Sequence, residues 1–290
     1  MQGIAEYLKK KRILVTGATG FLGQPLIEKI LFAAPTVERI YALIRPSQRL
    51  RGRVLSVQTR LEREIYTSSA FDRLRGLYGE DLPEFLQEKI RAVEGDISKD
   101  DLGINRETIE QLRHEIDVII NCAAVVSFDA PLDEALSLNV MAAGRVAKFA
   151  ESCEAVVLVH VSTAYVNGAV HKEPSEDLYH SAPPHTTEPF PQGYFGDVNR
   201  DIAQVKSIIK DVHAEAASQA REREFTLLLL KQSRKKKRAR PHRRARLERI
   251  RKAWIQEQLQ QGGMQWARKR GWNDTYTYTK AMGEQLVLAA

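Results

Sequence analysis

Tyr276 and Lys280 stand four residues apart in Thr275-Tyr276-Thr277-Tyr278-Thr279-Lys280. On a helix that spacing puts both side chains on one face. An ammonium beside a phenol favours the phenolate, because opposite charge stabilises the ionised form. A phenol so placed can hand a proton to a carbonyl oxygen as hydride arrives at the carbon. A hydroxyl from Ser162 or Thr163, in His160-Val161-Ser162-Thr163-Ala164-Tyr165, can hold the same oxygen. Lys280 can also hold ribose hydroxyls of a nicotinamide cofactor. Tyr278 is the rival phenol, but its i+4 residue is the uncharged Met282. His160 lies in an apolar run and reads as a packed strand residue. A bare YxxxK recurs by chance in many helices, so its weight depends on its surroundings.

The strongest companion is a phosphate loop. Strand-like Arg12-Thr16 leads into Gly17-Ala18-Thr19-Gly20-Phe21-Leu22-Gly23, with a helical pattern immediately after. Glycines at every third position allow a tight turn, close backbone approach to a pyrophosphate and close helix–strand packing. The helix N-terminus then faces the anion. Gly17, Thr19, Gly20, Phe21, Leu22 and Gly23 are the candidate contacts. The next strand ends Ala42-Leu43-Ile44-Arg45-Pro46, with no acid to take ribose hydroxyls. Arg45, with Arg49 as second choice, suits a 2′-phosphate instead, so NADPH is expected over NADH. Two further strand ends point the same way. Asp96 and Ile97 follow the third strand, where Asp96 could accept from the adenine amino group. Asn121, Cys122, Ala123 and Ala124 end the fourth, where small residues let the backbone approach the cofactor.

These residues need a frame. The candidate strands are Arg12-Thr16, Arg39-Ile44, Ile90-Glu94, Asp117-Asn121 and Ala155-Val161. Their apolar runs are continuous, as in parallel strands covered on both faces. Helical patterns lie between them at Phe21-Phe32, near Arg49-Lys89, at Arg106-Glu115 and at Pro131-Ser152. The alternation predicts an α/β, doubly wound parallel sheet, Rossmann-like, with ligands at its strand ends. Residues 174–194 read as a loop and 196–261 as polar helix, broken by Gly262-Gly263. The expected divisions are a 1–170 NADPH-binding core, a 171–270 helical basic insertion after the fifth strand, and 271–290 carrying the YxxxK helix back to the core.

The chain has 290 residues and a formal charge of +7. Lys231–Lys252 holds thirteen Lys or Arg against the single acid Glu248, so that stretch carries +12 and the remainder −5. The basicity is therefore local. Only Trp254 offers a nearby aromatic, and no nucleic-acid motif is present, which disfavours nucleic acid. Contact with anionic lipid headgroups or with the phosphates of coenzyme A are the functional readings of 231–252. The plain alternative is a solvated helical face. The two cysteines, Cys122 and Cys153, lack metal-ligand spacing, so no metal site is expected. With no apolar leader or spanning run, the expected location is cytoplasmic, with peripheral contact at a membrane surface as an option.

The loop TGATGFLG resembles the extended short-chain dehydrogenase/reductase pattern. Together with YALIRP, FDRLR, VEGDIS, DVIINCAAVVSFD, LNVMAAG, VHVSTAYVNG and above all GWNDTYTYTKAMGEQL, the chain resembles the fatty acyl-CoA reductase family, the male-sterility type. The resemblance implies NADPH-dependent reduction of a long-chain acyl-CoA to an aldehyde and then a primary alcohol. Aligning Gly168 with the family's glycine puts the hydroxyl position on Thr163, so Thr163, Tyr276 and Lys280 are the implied catalytic set. Asn139 occupies a position where the superfamily often keeps a supporting asparagine. The alternatives are a thioester reductase on carrier-bound acyl groups, a sugar-nucleotide epimerase or dehydratase, and a non-catalytic nucleotide- or membrane-surface-binding fragment. Family members continue past the point matching Ala290 with further sheet strands and an acyl-binding region. The chain is therefore read as an N-terminal portion, C-terminally truncated.

Overall fold

A computed structural model describes residues 3–50, 53–168, 197–234 and 243–290. The loop expected at 174–194 lies outside them. Among the described residues seven strands are present: β1 Arg12–Thr16, β2 Arg39–Ile44, β3 Ser47–Leu50, β4 Arg53–Leu55, β5 Ile90–Glu94, β6 Val118–Asn121 and β7 Val157–His160. The helices of the first half are α1 Ile4–Tyr7, α2 Gly23–Ala33, α3 Val57–Arg60, α4 Asp72–Tyr78, α5 Leu82–Lys89, α6 Arg106–Glu115, α7 Leu132–Ala135 and α8 Ala142–Glu151. Those of the second half are α9 Val198–Ala216, α10 Gln219–Arg234, α11 Arg243–Lys269 and α12 Thr275–Leu288.

Five strands form one parallel sheet in the order β5-β2-β1-β6-β7. This is the doubly wound arrangement expected from the strand–helix alternation. Because side chains alternate faces along a strand, a strand buried on both sides must be apolar throughout. Ile13 and Val15 of β1, Ile40, Ala42 and Ile44 of β2, and Val118 and Ile120 of β6 enter one core with Ile27 and Leu31 of α2. Leu14, Tyr41, Leu43 and Ile119 enter the other, against Ile109 and Leu112 of α6 and Val146 and Phe149 of α8. Asn105 starts α6 by accepting from the Thr108 amide at 2.9 Å, which satisfies an otherwise open helix N–H.

Three expectations need correction. The stretch near Arg49 is not helical: β3 and β4 pair antiparallel, and helix begins only at Val57. These two short strands lack the apolar run that betrays a buried strand. The edge strand β7 is covered on one face only. Leu158 packs on a core, while Val157 and Val159 stay 47% and 45% exposed. Finally, Gly262-Gly263 does not break the helix, since α11 runs through to Lys269. A Cβ on Gly263 would lie 2.7 Å from Thr275 Oγ1 and 3.3 Å from Leu132 Cβ. The glycine is there for close approach of neighbouring helices, not for a stop.

By contacts the chain divides into two units. One comprises Met1–Ala124, Leu138–Ser162 and Leu286–Ala290, the other Val125–Ser137 and Thr163–Gln285. Most of α12 therefore groups with the insertion helices, whereas 271–290 is assigned to the core on sequence alone. The reason lies in the side chains around Tyr278, described below.

Candidate active site

Within the first unit, the phosphate loop sits at the ends of β1 and β6, where the strand order reverses and open α/β sheets bind ligands. Gly17 has φ +67°, and a Cβ there would meet the Ala123 backbone nitrogen at 2.8 Å. A Cβ on Gly23 would overlap the Gly17 carbonyl oxygen. Both positions therefore require glycine. The Gly20 amide donates to the Gly17 carbonyl at 2.9 Å, and the Gln24 side chain donates to the Thr19 carbonyl at 2.9 Å. Ser68 donates in turn to Gln24 Oε1 at 2.5 Å, which holds the loop from behind. The N-cap of α2 is Leu22, and no side chain caps it. Gln24 already donates its amide to the Gly20 carbonyl at 3.2 Å and Pro25 carries no N–H, so among the first-turn amides that of Gly23 is the one left for an external acceptor such as a pyrophosphate. Phe21 and Leu22 are exposed, at 99% and 47%, so they contribute backbone rather than packing.

Arg45 is exposed at the end of β2, and its carbonyl accepts from the Arg60 guanidinium. The side chain of Arg49 lies outside the described residues. Asp96 Oδ1 accepts from the Ser98 amide at 2.9 Å and the Ser98 hydroxyl at 2.7 Å. Burial pushes the Asp96 carboxyl up, but the two Ser98 hydrogen bonds and the charges of Arg45 and Lys99 outweigh it and hold it below its usual range. Ile97 beside it is buried. A carboxylate near Arg45 at this strand end suits polar groups of an adenosine.

Asn121 is 2% exposed and already engaged. Its Oδ1 accepts from Thr16 at 2.5 Å, and its Nδ2 meets His160 Nδ1 at 3.0 Å. The side chain thus ties the ends of β1, β6 and β7 together, leaving the Ala123 backbone as the part of this strand end facing Gly17. His160 is accordingly a polar partner and not merely a packed strand residue. Asn139 is buried in the wide turn Leu136–Met141 that joins α7 to α8.

Within the second unit, Asp274 accepts from the Thr277 amide at 2.8 Å and starts α12. One turn on, Tyr276 is half-buried and Lys280 is 2% exposed. The Tyr276 ring meets Phe128 edge-on at 5.9 Å. Thr163 begins the short turn Ala164–Asn167, its Oγ1 accepting from the Tyr165 amide at 3.3 Å. That leaves its hydroxyl hydrogen for another acceptor. The Trp272 indole donates to the Val166 carbonyl at 3.0 Å and ties this turn to the start of α12. Ser162, the rival hydroxyl, is buried with no partner among the described residues.

Tyr278 is fully buried. Its hydroxyl accepts from the Trp266 indole at 3.0 Å and reaches Asp201 Oδ2 at 3.4 Å. Asp201 is bound by Arg270 through Nε at 3.1 Å and Nη2 at 2.7 Å. Trp272 packs on Tyr278 at 5.4 Å. Burial, then the Asp201 charge, push the Tyr278 phenol well above its usual range against the pull of Trp266 and Arg270. Tyr278 is therefore a fixed structural phenol. Asp201, Trp266 and Arg270 carry no local motif, and Phe128 sits in a stretch quoted only for its family resemblance, so spacing alone did not single them out. Among the described residues no group of acids, histidines and cysteines could hold a metal.

Residues 15–290 match the NAD-binding family model described as male sterility protein. The chain belongs to the male sterility protein family. It is 35% identical over 286 residues to fatty acyl-CoA reductase 1 of Arabidopsis thaliana, covering 97% of this chain and 49% of that protein. It is 30% identical over 291 residues to the alcohol-forming fatty acyl-CoA reductase of Simmondsia chinensis, covering 99% and 50%. A solved structure, the terminal reductase domain from the myxalamid biosynthetic pathway, is 30% identical with a TM-score of 0.44, covering 57% of this chain and 38% of that one. This male sterility family chain thus spans about half the length of the curated relatives it matches.

Proposed function

We propose that this chain is the cofactor-binding and proton-donating portion of an NADPH-dependent fatty acyl-CoA reductase that forms an aldehyde and then a primary alcohol. The supporting observation is the coexistence of the uncapped glycine cradle at Gly17–Gly23 with the Tyr276–Lys280 pair on α12, in a chain whose curated relatives bear that name. The cradle fits a dinucleotide pyrophosphate, and Arg45 suits a 2′-phosphate, which makes NADPH the preferred form.

Bound NADPH would supply hydride to the acyl carbonyl carbon. Tyr276 donates its hydroxyl proton to the carbonyl oxygen, Thr163 donates a hydrogen bond to that oxygen, and Lys280 stabilises the phenolate left behind. In the first reduction the hemithioacetal hydroxyl returns its proton to the Tyr276 phenolate as the carbon–sulfur bond breaks, so the coenzyme A thiolate leaves and the aldehyde forms; in the second, which would consume a second NADPH, the aldehyde oxygen takes the Tyr276 proton and becomes the alcohol. The apolar edge of Phe128 beside Tyr276 suits the first carbons of an acyl chain.

NADPH oxidation by the full-length protein tests this with palmitoyl-CoA, an acyl group on a carrier protein, and a UDP-sugar. Turnover of palmitoyl-CoA with release of free thiol is expected. Oxidation with the carrier-bound acyl group alone would move the reading to a carrier-dependent thioester reductase.

A further inference from the structure

Helices α10 and α11 pack side by side. Phe225 meets Trp254 at 5.9 Å, the Arg221 guanidinium lies 4.7 Å above the same indole, and Arg251 pairs with Glu222 at 3.8 Å. Phe225 and Leu229, four residues apart, share one helix face and are buried. At 100° per residue, Leu227, Leu230 and Lys231 fall on the opposite face, with Leu228 at its border. Leu227, Leu228 and Leu230 are 58%, 45% and 51% exposed. Single exposed leucines are ordinary; two on the face opposite the packing residues, with a third at its border, form a patch that water disfavours.

That patch is set among cations. Arg223 and Lys231 on α10, and Arg243, Arg244, Arg249 and Lys252 on α11, are exposed. The nearby acids are occupied: Glu215 and Glu224 by Arg221, Glu222 and Glu248 by Arg251. Among the described residues the exposed cations therefore remain uncompensated.

At 100° per residue Arg223 and Lys231 fall on the same outward face of α10 as Leu227 and Leu230, and leucines and cations sharing one face match a lipid interface. The leucines enter the acyl boundary while the cations meet phosphate headgroups. The phosphates of coenzyme A would satisfy the cations but leave the leucines in water. A nucleic acid would need a stacking ring, and Trp254 is already packed against Phe225 and Arg221. Among the described residues no helix is long and apolar enough to cross a membrane, so the contact is a surface one.

We infer that the outward face of α10 docks on an anionic membrane surface. This goes beyond the proposed reduction and does not depend on it. Co-sedimentation of the full-length protein with vesicles of phosphatidylcholine, alone or mixed with phosphatidylserine, tests it without reading turnover. Binding to the mixed vesicles, weakening with added salt, is expected. The variant Leu227→Gln/Leu228→Gln/Leu230→Gln should lose on the order of tenfold in affinity per leucine. Arg223→Gln/Lys231→Gln should lose roughly fivefold per cation. All five side chains are exposed, and circular dichroism would verify that both variants fold. No sedimentation with mixed vesicles overturns the inference. So does a leucine variant that binds as well as the parent, or binding abolished by free coenzyme A, because either reduces the surface to a phosphate site.

Discussion

Arg270 grips Asp201 with two nitrogens, Nε at 3.1 Å and Nη2 at 2.7 Å. Asp201 belongs to α9, and Arg270 follows the end of α11. The pair therefore locks two insertion helices beside Tyr278 of α12. The Asp201 side chain is 3% exposed and that of Arg270 30%. Asp201→Ala would leave the guanidinium without its carboxylate and cost on the order of 3 kcal/mol. Urea unfolding followed by tryptophan fluorescence would measure this, and an unchanged midpoint would show the pair to be dispensable.

The two tyrosines of the motif should separate cleanly. Tyr276→Phe in the full-length protein is expected to abolish NADPH oxidation while leaving NADPH binding intact. Tyr278→Phe should keep most of the turnover and lose about 1 kcal/mol of stability, the worth of its hydrogen bonds. Steady-state rates beside thermal melts would distinguish them. Retained turnover in Tyr276→Phe would remove it as the proton donor.

At the strand end, Arg45→Ala should weaken NADPH on the order of tenfold or more, the scale of a charge-assisted hydrogen bond. NADH should be nearly unaffected. Fluorescence titration with both dinucleotides would test this, and equal weakening would count against contact with the 2′-phosphate.

The loop makes a sharper demand. In Gly23→Ala the new methyl must displace the Gly17 carbonyl. Overpacking of this kind costs about 1–3 kcal/mol, and here it also disturbs the cradle. Loss of both dinucleotides together, seen by calorimetric titration, is expected. Wild-type affinity would mean that the loop relaxes without consequence.

Buried phenols set an alkaline limit. Burial, aided by the Glu115 hydrogen bond, pushes Tyr41 up to about 12. Burial, aided by Glu62, does the same for Tyr66. Their folded values lie above an unfolded value near ~10, so their contribution is complete below about pH 10 and is lost as pH rises toward about 12. Urea midpoints should fall over that window, and Tyr66→Phe should flatten the fall.

Periodicity and punctuation made much of the fold legible. Continuous apolar runs marked β1 and β2 to the residue, because a two-sided core admits only apolar side chains. The glycine triplet and YxxxK marked the candidate site, because each rests on local backbone or helical spacing. What was not legible depends on distant partners. Nothing near Asp201 announces Arg270, sixty-nine positions later. Gly263 looked like a stop because nothing beside it in the sequence names Leu132 or Thr275 as the neighbours that require it. The Thr16 and His160 partners of Asn121 were equally hidden, because they come to it only through strand pairing.

Gly263 also bears on how this lineage can vary in length. Insertions or deletions near residues 235–242, between α10 and α11, would leave the α11–α12 contact untouched. A single residue added or removed between Gly263 and Thr275 would rotate one helix by about 100° against the other and carry Gly263 away from Thr275. Relatives should therefore differ freely in the size of this excursion and hardly at all in the twelve-residue step that closes it.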